Sequence, residues 1–250
     1  MISAEAYSIF PDRQESLMTE PNKDAEDFFE TWSIYRKIVA ANNMFHREIY
    51  ADVKKLLSGL DSGFSLLDLG CGDAACLAPV LADLPIAHYQ GVDLSETALS
   101  LAAENLRALP GTIGLQRADL LQALLDSEAR YDVVFSSFAV HHLSLPQKTA
   151  FFQVAHSRLN ENGMLLLIDT VREEEEDLPA YLNAYCAWLR QDWIGIEPEE
   201  KDIACRHIID NDFPEDLGTL QAISRQAGFG DCRELSRYRW HHVLCFQSAP

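Results

Sequence analysis

The 250-residue chain reads as an α/β protein: a seven-stranded, mostly parallel sheet with helices on both faces, plus helical caps. Three features lead there. Short apolar runs alternate with helix-length stretches from about residue 62 to residue 170. One run, Leu66 to Leu69, passes straight into a glycine turn, and two short strand-like segments close the chain after its last helix.

Hydrophobic residues make up 48% of the chain, enough for one sizeable core, so residues 1–250 are expected to form a single domain. Within it we expect a helical cap over 1–60, a ligand-binding core over 61–170, an inserted helical cap over 171–211, and a last helix with a strand hairpin over 212–250. Against 39 acidic residues stand only 20 basic ones, a formal net charge of -19 with no basic cluster. Such a surface repels phosphate backbones and anionic membranes, so neither nucleic acid nor a bilayer is an expected partner. No apolar run approaches bilayer length, and the opening MISAEAYSIFPDRQE lacks a basic segment followed by an apolar one, which points to an intracellular, cytoplasmic chain. The six cysteines (71, 76, 186, 205, 232 and 245) form no CxxC pair and read as reduced thiols packed like small apolar residues.

In chain order, the first twenty or so residues are polar and suit an arm or part of a lid. From Asp24 to about Ser58 a helix, or pair of helices, is expected to bury one face, because Phe28, Trp32, Tyr35, Val39, Asn42, Phe45 and Ile49 recur at three and four. Tyr35, Asn42 and His46 put polar groups along that stripe. They either bond to backbone inside the core or cap a ligand cleft.

Leu66 to Ala75, LLDLGCGDAA, reads as strand, turn and helix, with Ala74, Ala75, Leu77, Val80 and Leu81 at helical spacing. Gly70 permits the turn and Gly72 lets a ligand lie on bare main chain. The looser dinucleotide fingerprint is also satisfied. Asp68 separates the readings: a nicotinamide-binding turn usually has an apolar residue there, whereas a buried carboxylate calls for a cation nearby. An ammonium or a sulfonium on the ligand would supply it.

Asp68-Leu69-Gly70-Cys71-Gly72 resembles the first motif of the class I S-adenosylmethionine-dependent methyltransferases, with Ala74 where that family's pattern has a third glycine. The resemblance covers residues 62–170 clearly and 212–247 loosely, and leaves the caps unmatched. It implies a Rossmann-like sheet, S-adenosylmethionine as cofactor with S-adenosylhomocysteine as product, and an enzyme that moves a methyl group by direct in-line displacement.

Beyond the turn, Ala87 to Val92 is a short strand ending in Asp93, and Ser95 then caps a helix from Glu96 to Ala108. Asp93 falls 21 residues after Gly72, where a strand-end carboxylate meets a ribose. The resemblance gives it that role, with Leu94 beside it; the plainer reading is a solvated loop aspartate. Ile113 to Arg117 is a third strand. Asp119 and Leu120 after it resemble the family's adenine-binding step, and Asp119 also suits the N-cap of the next helix.

Tyr131 to Ser136 is apolar enough for the sheet centre and leads into SSFAVHHLS, which lacks the Asn/Asp-Pro-Pro-aromatic motif of DNA-methylating members and looks like the small-molecule branch. His141 and His142 are the candidate catalytic residues, since an imidazole could take a proton from the acceptor. In the family the pair often only shapes the turn. Expected cofactor contacts are Tyr35, His46, Asp68, Gly70, Cys71, Gly72, Asp93, Leu94, Asp119, Leu120 and Ser136. No compact Asp/His/Glu cluster with metal-ligand spacing is visible, so no metal is expected.

A helix from Gln147 to Leu159 precedes the strand Met164 to Ile168, which Asp169-Thr170 closes. Glu173 to Asp177 is an acidic run suited to a solvated loop or helix start. Tyr181, Tyr185, Trp188, Trp193 and His207 follow; aromatics at helical spacing are usually core, but here they suit a second cap over the cleft and a planar or apolar acceptor. A last helix to Ala227 ends at Gly228, and strands near 232–238 and 241–247 complete the sheet. His241 and His242 occupy oppositely facing strand positions, so at most one is expected to face the interior. The best reading is N- or O-methylation of a small molecule by a monomer or homodimer. A protein methyltransferase, a nicotinamide-dependent oxidoreductase and a non-catalytic cofactor-binding scaffold are its rivals.

Overall fold

A computed structural model describes residues 23–60 and 63–248. The opening polar arm and the side chain of Phe28 lie outside the described residues.

The chain opens with helices α1 (Lys23–Ala40) and α2 (His46–Leu57), then strand β1 (Phe64–Leu69) and the short helix α3 (Ala78–Leu81). Strand β2 (Ile86–Asp93), helix α4 (Glu96–Leu106), strand β3 (Thr112–Arg117) and helix α5 (Leu120–Asp126) follow. The second half runs β4 (Tyr131–Ser137), α6 (Leu145–Ser157), β5 (Leu159–Thr170), α7 (Leu178–Asp192), α8 (Pro198–Asn211), α9 (Leu217–Ala227), β6 (Phe229–Tyr238) and β7 (His241–Ser248).

The seven strands form one sheet in the order β3-β2-β1-β4-β5-β7-β6. Only the pairs made by β7 are antiparallel. Strand order reverses between β1 and β4, and ligands of open parallel sheets bind beyond the carboxyl ends of the strands at such a point. Two apolar layers cover the sheet. Val133, Phe135, Leu166 and Cys245 face α2, α3 and α4, while Val134, Leu165, Leu167 and Phe246 face α5, α6 and α9. The inner strands are therefore apolar on both faces, as their unbroken runs require. A third cluster joins Ile34, Ile38 and Met44 to Tyr185, Trp188, Leu189 and Ile208, so that α1, α7 and α8 pack together as a cap.

Of the two forms expected from Asp24 to about Ser58, the structure has the pair of helices: Asn42 and Phe45 adopt left-handed φ of 59° and 60°, which breaks the chain between α1 and α2. Three expectations are corrected. Within α1 the cap core takes Ile34 and Ile38, and the stripe of Trp32, Tyr35 and Val39 lines a cleft instead. The helix expected straight after Gly72 is absent. Gly72 and Ala74 hold φ of 53° and 54°, and α3 begins only at Ala78 because Pro79 is tolerated in a first turn and not in a helix interior. His241 and His242 are both buried, at 0% and 3% exposure, because β7 lies inside the sheet and is covered on both faces. His241 Nε2 meets the Tyr185 hydroxyl at 2.8 Å, and His242 lies 2.7 Å from Glu234.

Candidate active site

Beyond the ends of β1, β2, β3 and β4 opens a cleft of about 1600 Å³. Its floor is the turn after β1. Gly70, at φ 75°, can carry no side chain, since a Cβ would stand 2.6 Å from that of Ala139. A Cβ on Gly72 would stand 3.1 Å from the indole of Trp32, so α1 closes directly over the turn.

Four carboxylates line the cleft: Asp68, Asp73, Asp93 and Asp119. Asp93 shapes the turn. Its Oδ2 accepts from the Gly72 amide and its Oδ1 from the Ser95 amide, each at 2.8 Å. Asp119 Oδ1 accepts from the amides of Leu121 and Gln122 and so caps α5. Neither carboxylate has exhausted its lone pairs. Asp68 is buried, and its Oδ2 accepts from the Tyr89 hydroxyl at 2.7 Å. Burial pushes its pKa up to about 7, helped by the nearby Asp93 and opposed by the Tyr89 hydroxyl. A carboxylate in that state gains most from a cation brought by a ligand. An acidic cleft floored by a bare turn fits a ligand that carries positive charge and hydroxyl groups.

The structure brings Tyr35, Asp68, Gly70, Cys71, Gly72, Asp93, Leu94, Asp119 and Leu120 to the wall of this cleft. It sets two expected contacts apart. Ser136 is fully buried and donates to the Leu69 carbonyl at 2.7 Å, tying β4 to β1, while Ser137 faces the cleft. His46 lies behind Tyr35, with Nε2 3.4 Å from that hydroxyl, and burial lowers its pKa to about 4.

A smaller chamber of about 160 Å³ adjoins the cleft. Tyr35, Phe138 and His142 line both. The chamber is mostly apolar, with Ile34, Ile38, Met44, Tyr185 and Ile208 in its walls, and no lysine or arginine among the described residues lines it. Three buried polar atoms on its wall have no hydrogen-bond partner among the described residues: Thr170 Oγ1, Trp193 Nε1 and Asp212 Oδ1.

The histidine pair sits where the two cavities meet, on a single 3-10 turn (Val140–His142) after β4. His141 is buried and its Nδ1 bonds to the Asp169 carboxylate at the end of β5. Its Nε2 lies 3.6 Å from Asp212 Oδ1. Burial works to lower its pKa, but Asp169 and Asp212 outweigh that and raise it. For Asp212 burial works upward, and His141, His142 and His207 overcome it to hold the carboxyl below its usual range. His142 is more open: its Nδ1 lies 3.1 Å from the Asn211 carbonyl and 3.3 Å from Asp212 Oδ1. A carbonyl oxygen only accepts, so this contact places the proton on Nδ1 and the lone pair on Nε2.

Sequence reasoning missed Asp212, which α8 delivers to the histidines from 70 residues away. His141, His142 and Asp212 thereby gather within 4.8 Å, which corrects the expectation of no compact cluster. Phe138, on the shared wall at a left-handed φ of 53°, was also unforeseen. The one signal in the sequence was the Asp169-Thr170 pair closing β5.

Residues 67–165 match a family model described as a methyltransferase domain. Phosphoethanolamine N-methyltransferase of Plasmodium falciparum is 27% identical over 169 residues, which span 65% of this chain and 62% of that protein. Malonyl-[acyl-carrier protein] O-methyltransferase of Halalkalibacterium halodurans is 29% identical over 125 residues, 49% of this chain and 45% of that protein. The chain thus spans about three-fifths or less of the length of these curated relatives. Among solved structures, an O-methyltransferase family 2 protein from Planctomyces limnophilus in complex with apigenin superposes with a TM-score of 0.61 at 18% identity, covering 94% of this chain and 63% of that one. That likeness is one of fold. Residues 67–165 therefore form a methyltransferase domain, and the sheet that ends in the antiparallel strands β7 and β6 has the fold of the class I S-adenosylmethionine-dependent methyltransferases.

Proposed function

We propose that the chain transfers a methyl group from S-adenosylmethionine to a nitrogen or oxygen of a small molecule. The observation that carries this reading is the pair of adjoining cavities: an acidic cleft at the switch point of the sheet and an apolar chamber that shares Tyr35, Phe138 and His142 with it. The cleft takes the cofactor and the chamber takes the acceptor. Relatives whose names specify N- and O-methylation support both acceptor atoms.

When bound, S-adenosylmethionine supplies a methyl group already activated by its sulfonium. The protein's part is therefore to bind, align and exclude water. Asp93 accepts hydrogen bonds from the ribose hydroxyls while it holds the turn through the Gly72 amide. Asp119 accepts from the adenine amine, and Leu120 packs on the base. Asp68 meets the positive charge, and the glycine turn lets main chain approach. On the acceptor side, the chamber walls hold an apolar body with its reactive atom toward His142. The cluster of His141, His142 and Asp212 removes the acceptor's proton, where it has one to lose.

Calorimetric titration with S-adenosylmethionine, S-adenosylhomocysteine and NADH side by side tests the cofactor half. Binding of the first two and silence from NADH is the expected result; binding of NADH alone would turn the search to hydride transfer. Screening small amines and phenols for methylation then tests the acceptor half. Cofactor binding with no turnover on any acceptor would favour the scaffold reading.

A further inference from the structure

The imidazoles of His141 and His142 and the carboxylate of Asp212 present three ligand atoms within 4.8 Å of one another, and we propose that they bind a divalent transition metal ion of the zinc class. The inference rests on this geometry and not on methyl transfer: an ion held there occupies the lone pairs that the metal-free cluster offers to the acceptor's proton. Two imidazoles and a carboxylate form a donor set that borderline metals such as Zn2+ and Co2+ accept.

Distance is the first argument. Charge-assisted N–H···O bonds run at about 2.7–2.9 Å. The two histidine nitrogens instead stand 3.6 and 3.3 Å from Asp212 Oδ1, and that oxygen, whose residue is only 5% exposed, makes no shorter polar contact among the described residues. Both separations are longer than a charge-assisted bond. With metal–ligand bonds of about 2.0–2.2 Å, two ligands of a tetrahedral centre stand about 3.3–3.6 Å apart. Both observed contacts fall in that range.

Support from outside the triad is the second argument. Asp169 bonds His141 Nδ1, which fixes the ring and turns Nε2 toward Asp212. A carboxylate behind a ligating histidine in this way raises the basicity of the ligand and orients it. The Phe213 amide donates to the His141 carbonyl at 2.9 Å, which locks the chain beside Asp212 to the histidine turn. His141, His142 and Asp212 all line the smaller chamber, where no lysine or arginine among the described residues competes with a cation. Binding through His142 Nδ1 displaces the proton that it otherwise presents to the Asn211 carbonyl, and that proton moves to Nε2 of the same ring, so His142 changes tautomer.

The test uses the full chain, stripped with a chelator and titrated with Co2+ while its visible d–d absorption is followed. We expect one Co2+ per chain, displaced by Zn2+. Asp212→Asn and His141→Gln should abolish the spectrum. Asp169→Asn keeps all three ligands but loosens His141, and should weaken Co2+ affinity roughly 10–100-fold. His142→Gln guards against a variant that fails to fold, because that side chain is 38% exposed; it too must lose the spectrum. The control His88→Gln, on β2 and bonded to Thr112, should bind as the parent does. Absence of a Co2+ spectrum in the parent chain would overturn the proposal, and so would a spectrum that survives Asp212→Asn and His142→Gln.

Discussion

The two cavities are built on opposite principles. In the large cleft the aspartates are already engaged: Asp93 bonds two backbone amides, Asp119 caps a helix, and Asp68 meets Tyr89. In the small chamber Thr170 Oγ1, Trp193 Nε1 and Asp212 Oδ1 are buried without a hydrogen bond of ordinary length among the described residues, Asp212 Oδ1 having only the histidine contacts at 3.3 and 3.6 Å. The first arrangement holds its shape before any ligand arrives. The second holds unmet hydrogen-bonding capacity, and buried groups left in that state cost stability until something satisfies them. The contrast suits a site with one constant ligand and one selective one.

The sharpest way to break the comparison is His142, which both cavities share. His142→Ala should lower kcat by about 10²–10⁴-fold, the usual worth of a positioned proton acceptor, while calorimetry still finds the cofactor bound. Unchanged kcat at saturating acceptor would remove the cluster from the reaction. Asp93→Ala acts on the other cavity. It strands the Gly72 and Ser95 amides as well as the ribose hydroxyls, and should weaken cofactor binding by about 2–3 kcal/mol, roughly 30–160-fold in Kd. Unaltered Kd would remove that assignment.

Asp68 sharpens the comparison through pH. Its folded pKa is raised to about 7, above the usual carboxylate range, so it is protonated below that pH and charged above it. Affinity for S-adenosylmethionine should therefore rise with pH up to about 7 and then level, with a slope of at most about tenfold per unit for one proton. Without ligand the sign reverses: the chain loses stability as pH climbs from the ordinary carboxylate range toward about 7, because the buried group must ionise. Asp68→Asn should flatten both profiles, and calorimetry and thermal melts across pH would check them. The smallest effect concerns Ala74, whose φ of 54° suits glycine. Ala74→Gly should raise stability by up to about 1 kcal/mol, measured by denaturant melts.

How much was legible follows from the same contrast. The strand-end stations lie within a few residues of apolar runs, so Asp68, Gly72, Asp93 and Asp119 could be read from local pattern, and all four line the cleft. What failed locally had a local cause. Pro79 and two left-handed residues shortened the helix after the turn, and Ser136 and Ser137 differ only in which side of the strand they face. The chamber was illegible because its polar groups come from β4, β5 and α8, whose meeting depends on the packing of α1 with α7 and α8. No periodicity in one segment encodes that meeting, so Asp212 stayed hidden among the acidic residues near Phe213.

The indole of Trp32 reaches within 3.1 Å of where a side chain on Gly72 would begin, and both line the large cleft. Optically, then, the protein carries its own reporter: a fluorophore held against the turn that a cofactor must touch. Its emission should respond to cleft occupancy without any label, and the Trp32→Phe difference spectrum isolates that signal from the other three tryptophans.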